Sequence, residues 1–212
     1  MRDHGRVKQF FIGNREIRVT PSLVLDGSCL MLSGCGLKHL MNETPAASVP
    51  CTTVHLWDNA IDDDGFASLV ESPISKHIQV LWMGHNQMTG EALHFLARRL
   101  CSGAFKDIRD LFIDDNHIDD SGVNALAVAC CDNGYMPQLA RLGLHTNRIT
   151  CDGASTIGKV LLSNTWPHLS TLWLHNNQIK TLGPLSAAME SRTSRLRVTL
   201  HANPIAEQTL SM

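Results

Sequence analysis

The sequence lacks most of what would mark an enzyme, a membrane protein or a secreted disulfide scaffold. Its longest apolar runs are short, so no membrane span is expected. The opening MRDHGRVKQFF carries charge but no apolar stretch leading to a small-residue cleavage site, which argues against a signal peptide. Lysine and arginine number 18 against 20 acids, a formal net charge of −2, so there is no basic excess to hold nucleic acid or an anionic membrane. The seven cysteines are odd in number and include no C-x-x-C pair, which points to free thiols in a reducing compartment. Asn42-Glu43-Thr44 spells a glycosylation acceptor, which is of no use without secretion. Together these absences predict a cytoplasmic protein. At 212 residues, 43% of them hydrophobic, the chain can build one sizeable domain.

What the sequence has is self-similarity. Residues 169–179, LSTLWLHNNQI, follow the skeleton L-x-x-L-x-L-x-x-N-x-I. The same skeleton recurs at Leu139-Leu142-Leu144-Asn147-Ile149 and at Ile108-Leu111-Ile113-Asn116-Ile118. Read along the chain, its polar position falls at Cys35, Asn59, Asn86, Asn116, Asn147, Asn177 and Asn203, spaced by 24 to 31 residues. A short strand that turns sharply inward leaves amides and carbonyls without strand partners. An asparagine side chain, with two donors and an acceptor, satisfies such groups in its own and a neighbouring turn. These seven residues are therefore read as a structural ladder, with the first strand at Leu30 to Leu37.

After each strand a small residue follows at +4 (Gly65, Ala92, Gly122, Gly153, Gly183) and an apolar one at +8 (Leu69, Leu96, Leu126, Ile157, Ala187). Leu100, Cys130 and Leu161 extend the series at +12. A four-residue spacing describes one helix face, and the small residue lets the helix lie close to the sheet. The acids just before these helices (Asp62-Asp63-Asp64, Asp119-Asp120, Asp152) suit helix N-termini. The predicted fold is α/β: a right-handed leucine-rich repeat solenoid, or horseshoe, of about seven repeats with a parallel concave sheet and convex helices. Residues 1–22 do not fit the repeat and read as an N-terminal capping hairpin turning at Gly13-Asn14-Arg15. Residues 23–205 form the repeat domain, and 206–212 a C-terminal tail too short for a capping helix. Arg195 and Pro204 break the last repeat, so its core edge is expected to be poorly covered, in a longer natural protein or one that pairs through this end.

Long repeats with this helix signal resemble the ribonuclease-inhibitor-like class of leucine-rich repeat proteins, which includes the GTPase activator of Ran and the sensor arms of innate immune receptors. The resemblance covers roughly residues 27–205 and implies the fold. It departs from ribonuclease inhibitor in using asparagine at all but one ladder position, and from the Ran activator in lacking an acidic tail. The class hosts unrelated binding roles, so function has to be read from the exposed face.

Residues between the apolar strand positions project onto that face in columns, because neighbouring strands lie about 4.8 Å apart. One column reads Met31, His55, Trp82, Phe112, Gly143, Trp173, Thr199; the next reads Ser33, Trp57, Gly84, Asp114, His145, His175, His201. Beyond lie Gly34, Asp58, His85, Asp115, Thr146, Asn176 and Ala202, then an outer column containing His117 and Arg148. Exposed aromatics ringed by polar groups typify protein interfaces. Trp57, Trp82, Phe112 and Trp173 are therefore predicted partner anchors, with His145, His175, His201, Asp114, Asp115 and Arg148 supplying selectivity. Trp166 reads as a loop or rim residue.

The histidine column reads as a solvated ladder rather than a zinc site, since it offers no Cys or Glu. Its charging should alter partner affinity between about pH 5 and 7. Gly153 to Lys159 spells G-x-x-x-x-G-K, but Val160 replaces the magnesium-binding hydroxyl. Asp114 to Ile118 starts like a calcium loop and fails at Ile118 and Ala125. No nucleophile elbow supports a triad. The expectation is a non-catalytic scaffold for a protein partner of unspecified identity. It has no cofactor, metal or small-molecule substrate, and no nucleic-acid or membrane partner. Regulation of a small GTPase, or a structural place in a larger assembly, is the alternative.

Overall fold

The structure, a computed structural model, describes residues 8–12, 15–19, 24–26, 29–43, 51–192 and 196–205. Strands β1 (Lys8–Ile12) and β2 (Arg15–Val19) pair antiparallel, with Lys8 opposite Val19 and Ile12 opposite Arg15. The expected turn residues Gly13 and Asn14, Arg195 and the tail 206–212 lie outside the described residues. Strand β3 (Val24–Asp26) is antiparallel to β2 and parallel to β4 (Thr53–His55), so one strand joins the hairpin to the repeats. Strands β5 (Val80–Trp82), β6 (Asp110–Phe112), β7 (Arg141–Gly143), β8 (Thr171–Trp173) and β9 (Arg197–Thr199) follow in parallel and in chain order. Helices α1 (Gly34–Glu43), α2 (Asp63–Glu71), α3 (Gly90–Arg99), α4 (Asp120–Asn133), α5 (Cys151–Leu162) and α6 (Pro184–Ser191) form the crossovers. A parallel sheet in chain order with a helix in each crossover is a leucine-rich repeat solenoid.

The core lies between sheet and helices. Strands β4 to β8 send their central residues inward (Val54, Leu81, Leu111, Leu142, Leu172) to meet Phe66, Leu69, Leu96, Leu126, Ile157 and Leu161 from the helices, all buried. No repeat could bury these residues alone. Helix starts are fixed by acids: Asp62 accepts from Gly65 N at 2.9 Å and Asp119 from Gly122 N at 3.1 Å. Thr89 and Thr150 cap α3 and α5, and each is tied to the preceding repeat. The Thr89 amide and hydroxyl donate to Asp63, both at 2.7 Å, and those of Thr150 to Asp120 at 2.8 and 2.5 Å. The acid runs thus cap one helix and staple the next. The +4 glycines allow the helices' close approach: a Cβ at Gly122 would lie 2.7 Å from the Gly90 Cα.

Three readings are corrected. Cys35 is not a ladder residue: it is exposed in the first turn of α1. Register pairs Leu25 with Val54, so the first strand is β3 and the first ladder slot falls at Leu30. The first members of the columns shift with it, from Met31 to Asp26 and from Gly34 to Cys29. Ala187 is exposed, because Gly183 at φ +48° and Pro184 delay α6 and turn Leu185 and Ala188 inward instead. Trp166 is core, 2% exposed, its carbonyl held by Arg192 Nη1 at 3.0 Å.

Candidate functional site

The strand face opposite the helices rests on a backbone that would not hold itself. In every repeat the residue before the ladder slot has a left-handed backbone: Cys29, Asp58, His85, Asp115, Thr146, Asn176 and Ala202, with φ from 50° to 56°. Side-chain-bearing residues avoid this region, so neighbouring bonds must impose it. The ladder does so. Asn116 Oδ1 accepts from Met88 N of the preceding repeat at 3.0 Å, and its amide donates to Met83, Ile113 and Asp114 carbonyls. Asn86, Asn147 and Asn177 bond in the same way. Asn59 at the first turn accepts from both Leu30 N and Leu32 N, and Asn203 at the last serves Ile179 N.

Aromatic rings run across this platform. His55 stacks on Trp82 at 5.9 Å, Trp82 on Phe112 at 4.1 Å, and Phe112 meets Trp173 at 5.5 Å. Trp173 can reach Phe112 because Gly143 stands between them. A Cβ there would lie 2.8 Å from the Phe112 ring. Phe112, predicted as an anchor, instead lies under its neighbours and is 6% exposed, so it supports the Trp82 and Trp173 rings and offers little surface of its own. Trp57 and Trp82 are 42% and 37% exposed, and Trp173 is half-buried.

Beside the rings lie carboxylates and imidazoles. Trp57 leans over Gly84 toward His85, 5.6 Å between ring centres. His85 Nδ1 is 2.6 Å from Asp58 and Nε2 is 3.8 Å from Asp115. Asp114 fills the space over Gly84 and Gly143 and is 13% exposed, with His145 Nε2 at 3.3 Å. Burial raises its carboxyl above the usual range, and His145 opposes that rise. Arg148 is exposed on the outer column. Asp58 and His85 were not singled out from the sequence; the signal available was Asp-His-Asp down one column on consecutive repeats.

His145, His175 and His201 stack face to face, 4.2 and 4.3 Å between centres with planes 14° and 16° apart. Imidazole lone pairs lie in the ring plane, so parallel rings aim theirs side by side rather than at one point. No group of three His, Cys, Asp or Glu side chains among the described residues is arranged to hold a metal ion. Burial lowers the His175 pKa below its ordinary value, and the flanking His145 and His201 lower it further. A histidine with a depressed folded pKa contributes stability above its unfolded value of about 6.5, lost as pH falls through the folded value. The expected NMR titration midpoint of the His175 ring is below about 6.5; a midpoint at or above that value would mean that neither burial nor its histidine neighbours disfavour its charge.

The motif matches resolve into structure. Gly158 lies inside α5 with a Cβ position 2.3 Å from Leu185 N, so the G-x-x-x-x-G-K string is helix packing. Burial pushes the Cys130 thiol up to about 12, the value of an inert filler. None of the described helices is long and apolar enough to cross a membrane.

No protein-family model matches this sequence, and no curated protein does. Among solved structures, an internalin C2 from Listeria monocytogenes is similar at 17% identity and a TM-score of 0.48, covering 87% of this chain and 74% of its own. An internalin from the same organism, described as inlF, is similar at 21% identity and a TM-score of 0.39, covering 73% of this chain and 48% of its own.

Proposed function

We propose that this chain is a non-catalytic, cytoplasmic protein-interaction scaffold whose partner seats on the strand face. One observation carries the reading: two large indoles, Trp57 and Trp82, stand exposed on a face whose backbone is paired from strand to strand. Exposing them to water is costly unless a partner covers them, and aromatic residues ringed by polar groups dominate interface energetics. Trp57, Trp82 and Trp173 are the anchors and Phe112 their support. Asp114, Asp115, Arg148 and the His145, His175 and His201 stack set selectivity around them. A rigid surface of this kind loses little entropy on binding. The long strand–helix repeats support a place in the ribonuclease-inhibitor-like class.

The test is capture of partners from cells, identified by mass spectrometry, with wild type beside a Trp82→Ala, Trp173→Ala variant that keeps its circular dichroism. The expected result is a partner whose retention drops at least about tenfold in the variant, the range of lost hot-spot aromatics. Equal retention by both proteins would move the function to the helices or the termini.

A further inference from the structure

We infer that the partner presents a cationic segment, with an arginine or lysine side chain seated against the Trp57 indole beside Asp58, Asp114 and Asp115. The inference rests on the reading that this face is the binding surface, and adds the chemistry of what it binds. Over the whole chain bases and acids nearly balance, 18 against 20. On the strand face they do not. From β4 to β9 the three central columns hold Asp58, Asp114 and Asp115, and no lysine or arginine. Arg141, on the column nearest the strand starts, is already held by Asp110 in a two-pronged pair at 2.5 and 2.6 Å. Arg197 and Arg148 lie toward the C-terminal repeats, away from Trp57.

The carboxylates and the Trp57 indole lie together. Trp57 leans across Gly84 onto His85, and His85 has Asp58 on one side and Asp115 on the other. Asp114 reaches over the same Gly84. A cation placed on the indole face meets the ring's negative quadrupole in the field of the neighbouring carboxylates. A neutral apolar segment would gain the ring but nothing from the carboxylates, whose only neighbours of opposite kind among the described residues are the His85 and His145 rings, while an acidic one would be repelled. A row of like charge also draws an oppositely charged segment from a distance, an attraction that salt screens.

The full chain is titrated with a synthetic peptide alternating arginine and glycine over about ten residues, long enough to cross the described parallel strands, and with its glutamate–glycine counterpart. Intrinsic tryptophan fluorescence and calorimetry report binding. The arginine peptide is expected to bind saturably and the glutamate peptide not at all. Affinity should fall at least about fivefold in an Asp58→Asn, Asp115→Asn variant, and fall again as salt rises and the screening length shortens from roughly 20 Å to 6 Å. Asparagine tolerates the left-handed backbone at both positions, so the variant should fold as the wild type does. Absence of saturable binding, equal binding of the glutamate peptide, or an unchanged affinity in the variant would overturn the inference. If the peptide fails while a captured partner still depends on Trp82 and Trp173, the cationic assignment falls and the binding face stands. If the captured partner ignores the tryptophans, the face itself is wrong.

Discussion

Replacing Asn116 with alanine lowers the free energy of unfolding by about 4 kcal/mol, because it strands several buried backbone groups at about 1–3 kcal/mol each. The side chain is buried, accepts from the Met88 amide, and shares two hydrogens among the carbonyls of Met83, Ile113 and Asp114. Two of these partners, Ile113 and Asp114, belong to the turn that holds Asp115 at φ +50°, so the loss also releases a conformation that the ladder enforces. Asn203→Ala, at the partly exposed last turn, costs about 1–2 kcal/mol by the same reasoning, since water replaces part of the bonding. Urea unfolding followed by circular dichroism separates the two. A loss under about 1 kcal/mol for Asn116→Ala would mean that water reaches these carbonyls and that the ladder is not what holds the turns.

The second large effect sets two opposing terms against each other. Gly158→Ala removes a glycine from the interior of a helix, a change worth roughly 0.5–1 kcal/mol in favour of the variant. Packing works the other way. The new Cβ would fall 2.3 Å from Leu185 N and 2.5 Å from the Pro184 carbonyl carbon, and backbone cannot swing aside as a side-chain end can. Forcing α5 and α6 apart costs about 1–3 kcal/mol or more, so the net expectation is destabilisation by about 2 kcal/mol. A variant as stable as the wild type would show that the two helices are not in contact at this position.

The repeat was legible because a solenoid has to bury its strand and helix positions at a fixed spacing, and leucine at those positions leaves a period that survives variation elsewhere. The first repeat was not. Leu30 occupies the slot where later repeats have asparagine, and Asn59 compensates by accepting from both Leu30 N and Leu32 N. Without the amide, Leu30 to Leu32 looked like a strand and pulled Cys35 into a ladder it does not join. The burial of Phe112 was hidden for a different reason: it depends on Gly143 in the next strand and on Trp82 and Trp173 closing over it. Column membership says which way a side chain starts out, but its neighbours decide how far it stays exposed. The same holds for Trp166, whose loop position gave no sign that Arg192 would tie the segment to the core.

The ladder, the glycine contacts and the aromatic row describe one device: a stiff platform that carries exposed indoles and carboxylates on a face it cannot fold away. The most direct test is hydrogen exchange, read by mass spectrometry, on the chain with its captured partner bound and with it removed. The expected result is slowed exchange on binding in the segments 55–59, 82–86 and 112–116, with the helices unchanged. Slowed exchange confined to α3, α4 and α5, with those strand-end segments unaffected, would contradict the placement of function on the strand face.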